Sequence, residues 1–289
     1  MDFIERGISD RYGLRFIFVD VSRTAHTLAE RHHCGLPAAE VLAQALVGAG
    51  LLSSDLENED EAISIQMKVN GPVGGLMVEA VYGGLLRGYT YRKTLEFLDN
   101  QEITDLSEVL GTSGQMAVHH SKPGTLLYSG YVPAAPPDME RNLARFYNMS
   151  RQVPTGVSLF TSRMDRGGGR AQGIVAQKLP YADTEKFVAV LERFNDGRLR
   201  EGFPLEAGLN EAARILELPD LMVVSRSDLG FGCRCSYIKI INALSGFPGE
   251  ELQEMIASLE PQIVTCHFCG QIYSVSRGEL ARILEERTG

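Results

Sequence analysis

Residues 62–75 read Ala62-Ile63-Ser64-Ile65-Gln66-Met67-Lys68-Val69-Asn70-Gly71-Pro72-Val73-Gly74-Gly75, and Leu76 to Tyr82, Gly83-Gly84 and Leu85 to Tyr91 follow. Apolar Ile63, Ile65, Met67 and Val69 alternate with polar Ser64, Gln66, Lys68 and Asn70, the period of two that marks a half-buried strand. The glycine-rich stretch after it and the Gly83-Gly84 pair are tight reversals, so the three strands form an antiparallel meander.

Upstream, Arg15 to Ser22 is an apolar run of strand length, Thr24 to His33 reads as a short helix, and Pro37 suits the first turn of a second. In that second helix Val41, Ala45, Leu46 and Leu52 recur at helical spacing. Downstream, Gly114 to His120 and Thr125 to Val132 make a hairpin around Ser121-Lys122-Pro123-Gly124. Asp138 stands as N-cap to a helix carrying Leu143, Phe146 and Tyr147 on one face. Thr155 to Ser162 and Ala171 to Leu179 are strands flanking the tip Asp165 to Arg170. Strands and helices segregated in this way predict an α+β domain over residues 1–179, built on a large, mainly antiparallel sheet.

From Pro180 to Gly232 the texture changes to helical patches, Phe187 to Phe194 and Leu209 to Leu218, around the charged stretch Asn195 to Pro204. Short apolar faces and dense charge predict a metastable helical linker packed marginally on the first domain. The last segment, 233–289, opens on Gly232-Cys233-Arg234-Cys235-Ser236 and carries Thr265-Cys266-His267-Phe268-Cys269-Gly270 after two helices. Ser276 and Glu279 form a capping box for a final helix.

Four thiols paired as C-x-C and C-x-x-C can hold one metal or form two disulfides. So small a module has too few large apolar side chains to outweigh its ordering entropy, and a tetrahedral zinc on four thiolates supplies the missing stability. Gly270 suits a knuckle in which backbone N–H groups point at sulfur, and Arg234 can offset part of the centre's negative charge. Zinc-bound thiolates are also the form that oxidants attack, and a Cys266–Cys269 disulfide would remove two of four ligands. His267 is read as a solvated knuckle residue, because four cysteines already fill a tetrahedron. His26, His32, His33 and Cys34 are read as a solvent-facing helix end with an inert thiol rather than a second metal site.

A formal charge of −9 over 289 residues argues against a general nucleic-acid binder or a binder of anionic membranes, both of which need a basic face. No apolar run approaches the length that spans a bilayer, and Met1 to Asp10 does not resemble a signal peptide, so a cytoplasmic protein is expected. No G-x-x-x-x-G-K-[ST] phosphate loop occurs, and the C-x-x-C lacks the βαβ setting of a thiol oxidoreductase, so no enzyme is expected.

The two cysteine pairs, their separation and Cys266-His267-Phe268-Cys269-Gly270-Gln271-Ile272-Tyr273 resemble the redox-regulated thirty-three-kilodalton heat-shock chaperone family. Asn70 to Leu76, Leu86-Arg87-Gly88-Tyr89, Ser150-Arg151-Gln152-Val153-Pro154-Thr155 and Gly173-Ile174-Val175-Ala176-Gln177 resemble that family's segments in the same order. The resemblance implies one zinc ion held by Cys233, Cys235, Cys266 and Cys269 in a reduced, inactive state. It implies, on oxidation, disulfides Cys233–Cys235 and Cys266–Cys269, unfolding of zinc module and linker, and an ATP-independent holdase that binds unfolding or oxidatively damaged clients. Dimerisation on activation and hand-over of clients to ATP-dependent chaperones are further implications of the family. The competing reading is a structural zinc ribbon that binds a nucleic acid or protein partner.

Overall fold

The computed structural model describes residues 1–99, 105–162, 164, 169–204, 207–258 and 260–288. Residues 165–168 of the expected tip lie outside them. The chain divides into two compact units, Met1–Gly232 and Cys233–Gly289.

In the first unit the order is β1 (Phe3–Ser9), β2 (Leu14–Asp20), α1 (Ser22–Arg31), α2 (Leu36–Leu52), β3 (Ala62–Val69), β4 (Gly75–Val81) and β5 (Leu85–Thr90). There follow α3 (Ser107–Leu110), β6 (Gly114–Lys122), β7 (Thr125–Pro133), α4 (Met139–Arg145), β8 (Thr155–Thr161) and β9 (Ala171–Lys178). The unit ends with α5 (Thr184–Asn195), α6 (Arg198–Gly202), α7 (Leu209–Ile215), β10 (Met222–Asp228) and β11 (Gly230–Phe231). The meander that opened the reading is β3–β4–β5, with Ile65 opposite Val78 and Met67 opposite Leu76. Asp138 caps α4 as expected, its carboxylate accepting the Arg141 N–H at 2.7 Å.

The strands divide between two sheets, one in the order β10-β1-β2-β9-β8 and one in the order β11-β5-β4-β3-β6-β7. Every pairing is antiparallel except the short parallel pair β11–β5. Helix α2 lies between the sheets and touches β2, β8 and β9 of the first and β3, β4 and β5 of the second. Its side chains are buried on nearly every side, as an apolar helix with no polar stripe must be. Gly173 on β9 lets the helix come close, because a Cβ there would stand 2.5 Å from a Val47 methyl.

Two expectations are corrected here. The stretch Leu36–Asp55 is 20 residues long and apolar enough to cross a membrane, although no run of that length was expected. It is 83% buried inside the protein and is the core helix of this unit. The segment after Pro180 is also neither wholly helical nor thinly packed. Phe187, Val190, Phe194, Leu199 and Leu209 are buried in one cluster with Phe3, Phe16, Phe18 and Phe160 of the first sheet. Phe203 stacks on Phe160 with ring centroids 5.0 Å apart and lies 5.4 Å from Phe18. Each short helix brings only one to three buried apolar anchors, but the sheet face they meet is aromatic, and fully burying such a side chain contributes about 1.5–3 kcal/mol.

Strands β1 and β10 were not anticipated. Glu5 and Arg6 interrupt the apolar pattern of β1, yet Glu5 is buried and accepts the Leu209 N–H and an Arg226 guanidinium N–H, both at 2.8 Å. A charge that would mark a loop is here a satisfied inward group.

The second unit contains α8 (Tyr237–Leu244), α9 (Gly249–Ala257), the hairpin β12 (Gln262–Thr265) and β13 (Ile272–Val275), and α10 (Arg277–Thr288). Among the described residues its buried apolar core is Leu244, Leu252, Val275, Leu280 and Ile283.

Leu46 lies on the helix between the sheets and is completely buried, so Leu46→Ala is expected to destabilise the first unit by about 3 kcal/mol. Urea unfolding followed by circular dichroism measures this, and a loss below about 1 kcal/mol contradicts the packing described.

Candidate metal centre

Cys233 and Cys235 follow β11 in the chain and stand just ahead of α8, which starts where the Ser236 hydroxyl accepts the Lys239 N–H. Cys266 and Cys269 sit on the turn between β12 and β13. There the Cys266 N–H bonds the Gln271 carbonyl at 2.8 Å and the Gly270 N–H bonds the Cys266 carbonyl at 2.9 Å. Gly270 has φ +69°, a left-handed conformation that a side chain would disfavour, and this closes the knuckle. The Phe268 and Cys269 N–H groups point at the Cys266 sulfur, and the Gln271 N–H points at that of Cys269.

The four Sγ atoms lie within 4.8 Å of one another. Cys233 and Cys266 are 3.8 Å apart, and Cys235 and Cys269 are 3.5 Å apart. A tetrahedral ion with metal–sulfur bonds near 2.3 Å needs an edge of about 3.8 Å. A disulfide needs about 2 Å, and none of the five cysteines is in one. Donor type, number and spacing therefore fit a four-thiolate metal site.

Electrostatics favours a cation at the centre. Burial pushes the Cys266 and Cys269 thiols up; Cys235, Cys233 and Cys266 add to the push on Cys269, while on Cys266 the push from Cys233 is opposed by the hydrogen bond with Cys269. Four thiolates this close repel one another strongly, so they ionise together only around a dication, and metal must displace protons to bind.

Tyr273 was missed as part of the site. Its hydroxyl donates to the Cys235 sulfur at 3.1 Å, and that bond pushes the phenol up to about 12. The alternation along β13, which turns Tyr273 and Val275 inward, was the signal for it. Below the knuckle the capping box forms as expected: Glu279 accepts the Ser276 N–H at 2.9 Å, the Ser276 hydroxyl at 2.6 Å and also the Tyr237 hydroxyl at 2.6 Å. The Glu279 carboxylate thus ties the start of α10 to α8.

The remaining candidates do not join the cluster. His267 is exposed and outside the group of four. Arg234 contributes its carbonyl, which accepts the Lys239 Nζ at 2.6 Å. His32 is buried rather than solvent-facing, its Nε2 2.9 Å from the Gly88 carbonyl, while His26 pairs with Glu30 at 3.5 Å. Burial raises the Cys34 thiol to about 11, in keeping with an inert thiol. Among the described residues, these four do not gather as metal ligands.

A family model described as Hsp33 protein matches residues 2–276. The chain belongs to the Hsp33 family. It is 28% identical over 295 residues to a 33 kDa chaperonin of Cyanothece sp., covering 99% of this chain and 97% of that protein. It is 27% identical over 290 residues to the 33 kDa chaperonin of Levilactobacillus brevis, covering 99% and 98%, and 27% identical to that of Deinococcus radiodurans, covering 97% of each. The crystal structure of the 33 kDa chaperonin (heat shock protein 33 homologue) from Thermotoga maritima superposes with a TM-score of 0.89 at 23% identity over 99% of both chains, a likeness of fold. The Hsp33 family is one of molecular chaperones, so the function of this chain is that of a chaperone acting on unfolded client proteins.

Co2+ as a spectroscopic probe is expected to bind with intense sulfur-to-metal charge-transfer absorption. Cys269→Ser should abolish tight binding, and Tyr273→Phe should weaken it by about tenfold, the scale of losing a group that orients a ligand. Unchanged Co2+ affinity in Cys269→Ser contradicts the assignment. Glu279 gives a second check. Its hydrogen bonds, first that from the Ser276 hydroxyl, hold its carboxyl down from 4.5 to about 2. The tie is therefore fully present above pH 4.5 and lost as pH falls toward 2, so a carboxyl titration by NMR should find a midpoint near 2.

Proposed function

We propose that this Hsp33-family chaperone is an ATP-independent holdase switched by oxidation of Cys233, Cys235, Cys266 and Cys269. One observation carries the reading: four sulfurs within 4.8 Å of one another occupy a unit whose buried core, among the described residues, is five apolar side chains. So small an apolar core leaves much of the unit's order to be supplied by something other than hydrophobic burial. A bound zinc ion would supply the missing cross-link and hold the sulfurs as thiolates.

In this reading the reduced protein is the resting state, as the reducing cytoplasm favours. Cys266 and Cys269 form one disulfide and Cys233 and Cys235 the other. For each, two thiolates, one hydrogen peroxide and two protons give a disulfide and two waters. No thiolate donor is then left for an ion, and the unit loses its cross-link. Because the sulfurs form a compact cluster, their spacing alone does not choose among the three possible pairings. The local pairing follows the family resemblance.

The segment 180–232 is the second moving part. Its release would uncover Phe3, Phe16, Phe18 and Phe160, an aromatic sheet face suited to the apolar segments of unfolding clients. Dimerisation of the opened form and transfer of clients to ATP-dependent chaperones complete the proposal.

The test compares suppression of client aggregation by the reduced, zinc-loaded protein and by protein oxidised with peroxide under mild heat, with zinc release followed in parallel. Activity is expected only after oxidation, with one zinc released per chain and peptide mapping giving Cys233–Cys235 and Cys266–Cys269. Equal activity in both states, or oxidation without zinc loss, overturns the switch. A reduced form that binds its partner and loses it on zinc removal favours the zinc-ribbon reading instead.

A further inference from the structure

A cleft of about 860 Å³ in the first unit has no part in the switch. It opens between the two sheets, where the turn after α2, the segment 147–154 and the end of β9 meet. This volume suits a ligand the size of a nucleotide.

Arg15, Arg151 and Lys178 line the cleft alongside an equal number of carboxylates, Asp55, Glu57 and Glu61, and the arginines are held in place. Asp55 accepts from Arg15 at 3.2 Å and from Arg151, while Arg15 Nε also donates to the Gln177 Oε1 at 2.9 Å. Two guanidiniums thus share one carboxylate. Lys178 adds an ammonium that has no ion-pair partner among the described residues. The remaining donors of such an Arg pair match a dianion with several oxygens.

Tyr147 supplies an independent observation. It is 1% exposed and lines the cleft together with Asp55, Arg151 and Arg15, and its hydroxyl has no hydrogen-bond partner among the described residues. A buried hydroxyl without a partner is costly, and one on a residue that lines a cleft is a donor that a ligand oxygen would satisfy. Two residues past Ser150, Gln152 has φ +56°, an uncommon conformation for a residue with a side chain, and it also lines the cleft.

The other charged lining is of a different kind. Glu61 accepts from the Glu57 N–H at 3.0 Å and from the Asn58 amide at 2.6 Å, and His120 Nε2 lies 3.2 Å away. Glu61 remains ionised, its carboxyl held down to about 2, first by the Glu57 N–H. A fixed carboxylate beside an imidazole suits sugar hydroxyls, which donate to the one and exchange hydrogen bonds with the other. Val153, Pro154, Leu179 and Pro180 give the cleft an apolar lip.

We propose that this cleft binds a phosphorylated sugar or nucleotide, its phosphate on Arg15, Arg151, Lys178 and the Tyr147 hydroxyl and its hydroxyls toward Glu61 and His120. Titration calorimetry on the reduced, metal-loaded full chain tests it with AMP, ribose 5-phosphate, adenosine and inorganic phosphate as probes. AMP or ribose 5-phosphate is expected to bind with a Kd of about 1 mM or tighter, and adenosine and inorganic phosphate more weakly by about tenfold or more. Tyr147→Phe removes only the hydroxyl and should weaken the ester by about tenfold without lowering the melting temperature. Lys178→Gln, a change at a partly exposed residue, should also weaken it.

The proposal is overturned if neither ester binds at about 5 mM, five times that Kd. Adenosine or bare phosphate binding as tightly as the esters also overturns it. So does a Tyr147→Phe protein with unchanged affinity, or with a lowered melting temperature, which would assign the hydroxyl a structural role.

Discussion

Strand β2 carries large apolar side chains on both faces, and the architecture of Met1–Gly232 follows from having to cover both. Ile17 and Val19 point to the cluster around α2, while Phe16 and Phe18 point to the cluster under the segment after Pro180. A sheet exposed on either face would present a contiguous apolar patch to water, which soluble proteins rarely tolerate. The two covers are made differently. On one side a 17-residue apolar helix lies between two sheets. On the other, three short helices reach the sheet with one to three buried anchors each, and their outer faces are charged.

The second unit rests on a different constraint. Four sulfurs are brought together by a tight knuckle on one side and the start of a helix on the other, and their spacing is that of a tetrahedron rather than of disulfides. Everything around them orients sulfur: backbone N–H groups within the knuckle, the Tyr273 hydroxyl on Cys235, and the Glu279 tie that fixes the helices behind. Little of this is hydrophobic. The unit's order is concentrated at one polar centre whose chemistry depends on the protonation and oxidation state of sulfur.

These differences explain what was legible in the sequence. The meander β3–β4–β5 was plain because alternation of Ile63, Ile65 and Met67 with polar residues and the glycine reversals are local properties. The cysteine cluster was plain because C-x-C and C-x-x-C spacing itself encodes the turn that gathers sulfur. What pairs with what across 200 residues was not legible: β1 meets β10 through the buried Glu5 carboxylate and the exposed Arg226 guanidinium, an ion pair that sequence reads as loop polarity. Nor was the extent of packing after Pro180, because a short amphipathic helix does not announce the aromatic face it will meet. Leu36–Asp55 shows the same limit in reverse, since composition alone does not separate a core helix from a membrane one.

The asymmetry of the two covers bears directly on chaperone function. Removing α2 would separate the sheets and destroy the unit, so that face cannot serve as a reversible binding surface. Lifting the α5–α7 segment would leave β1–β9, α2 and the larger apolar cluster in place while uncovering Phe3, Phe16, Phe18 and Phe160. The strand edge changes too, because β10 is joined to α7 by a short connection and has exposed side chains along its whole length. A chaperone needs a surface that is apolar when wanted and covered when not, on a scaffold that survives the exchange. Among the described residues, the aromatic face of the first sheet is an apolar surface whose cover is separate from the core that joins the two sheets.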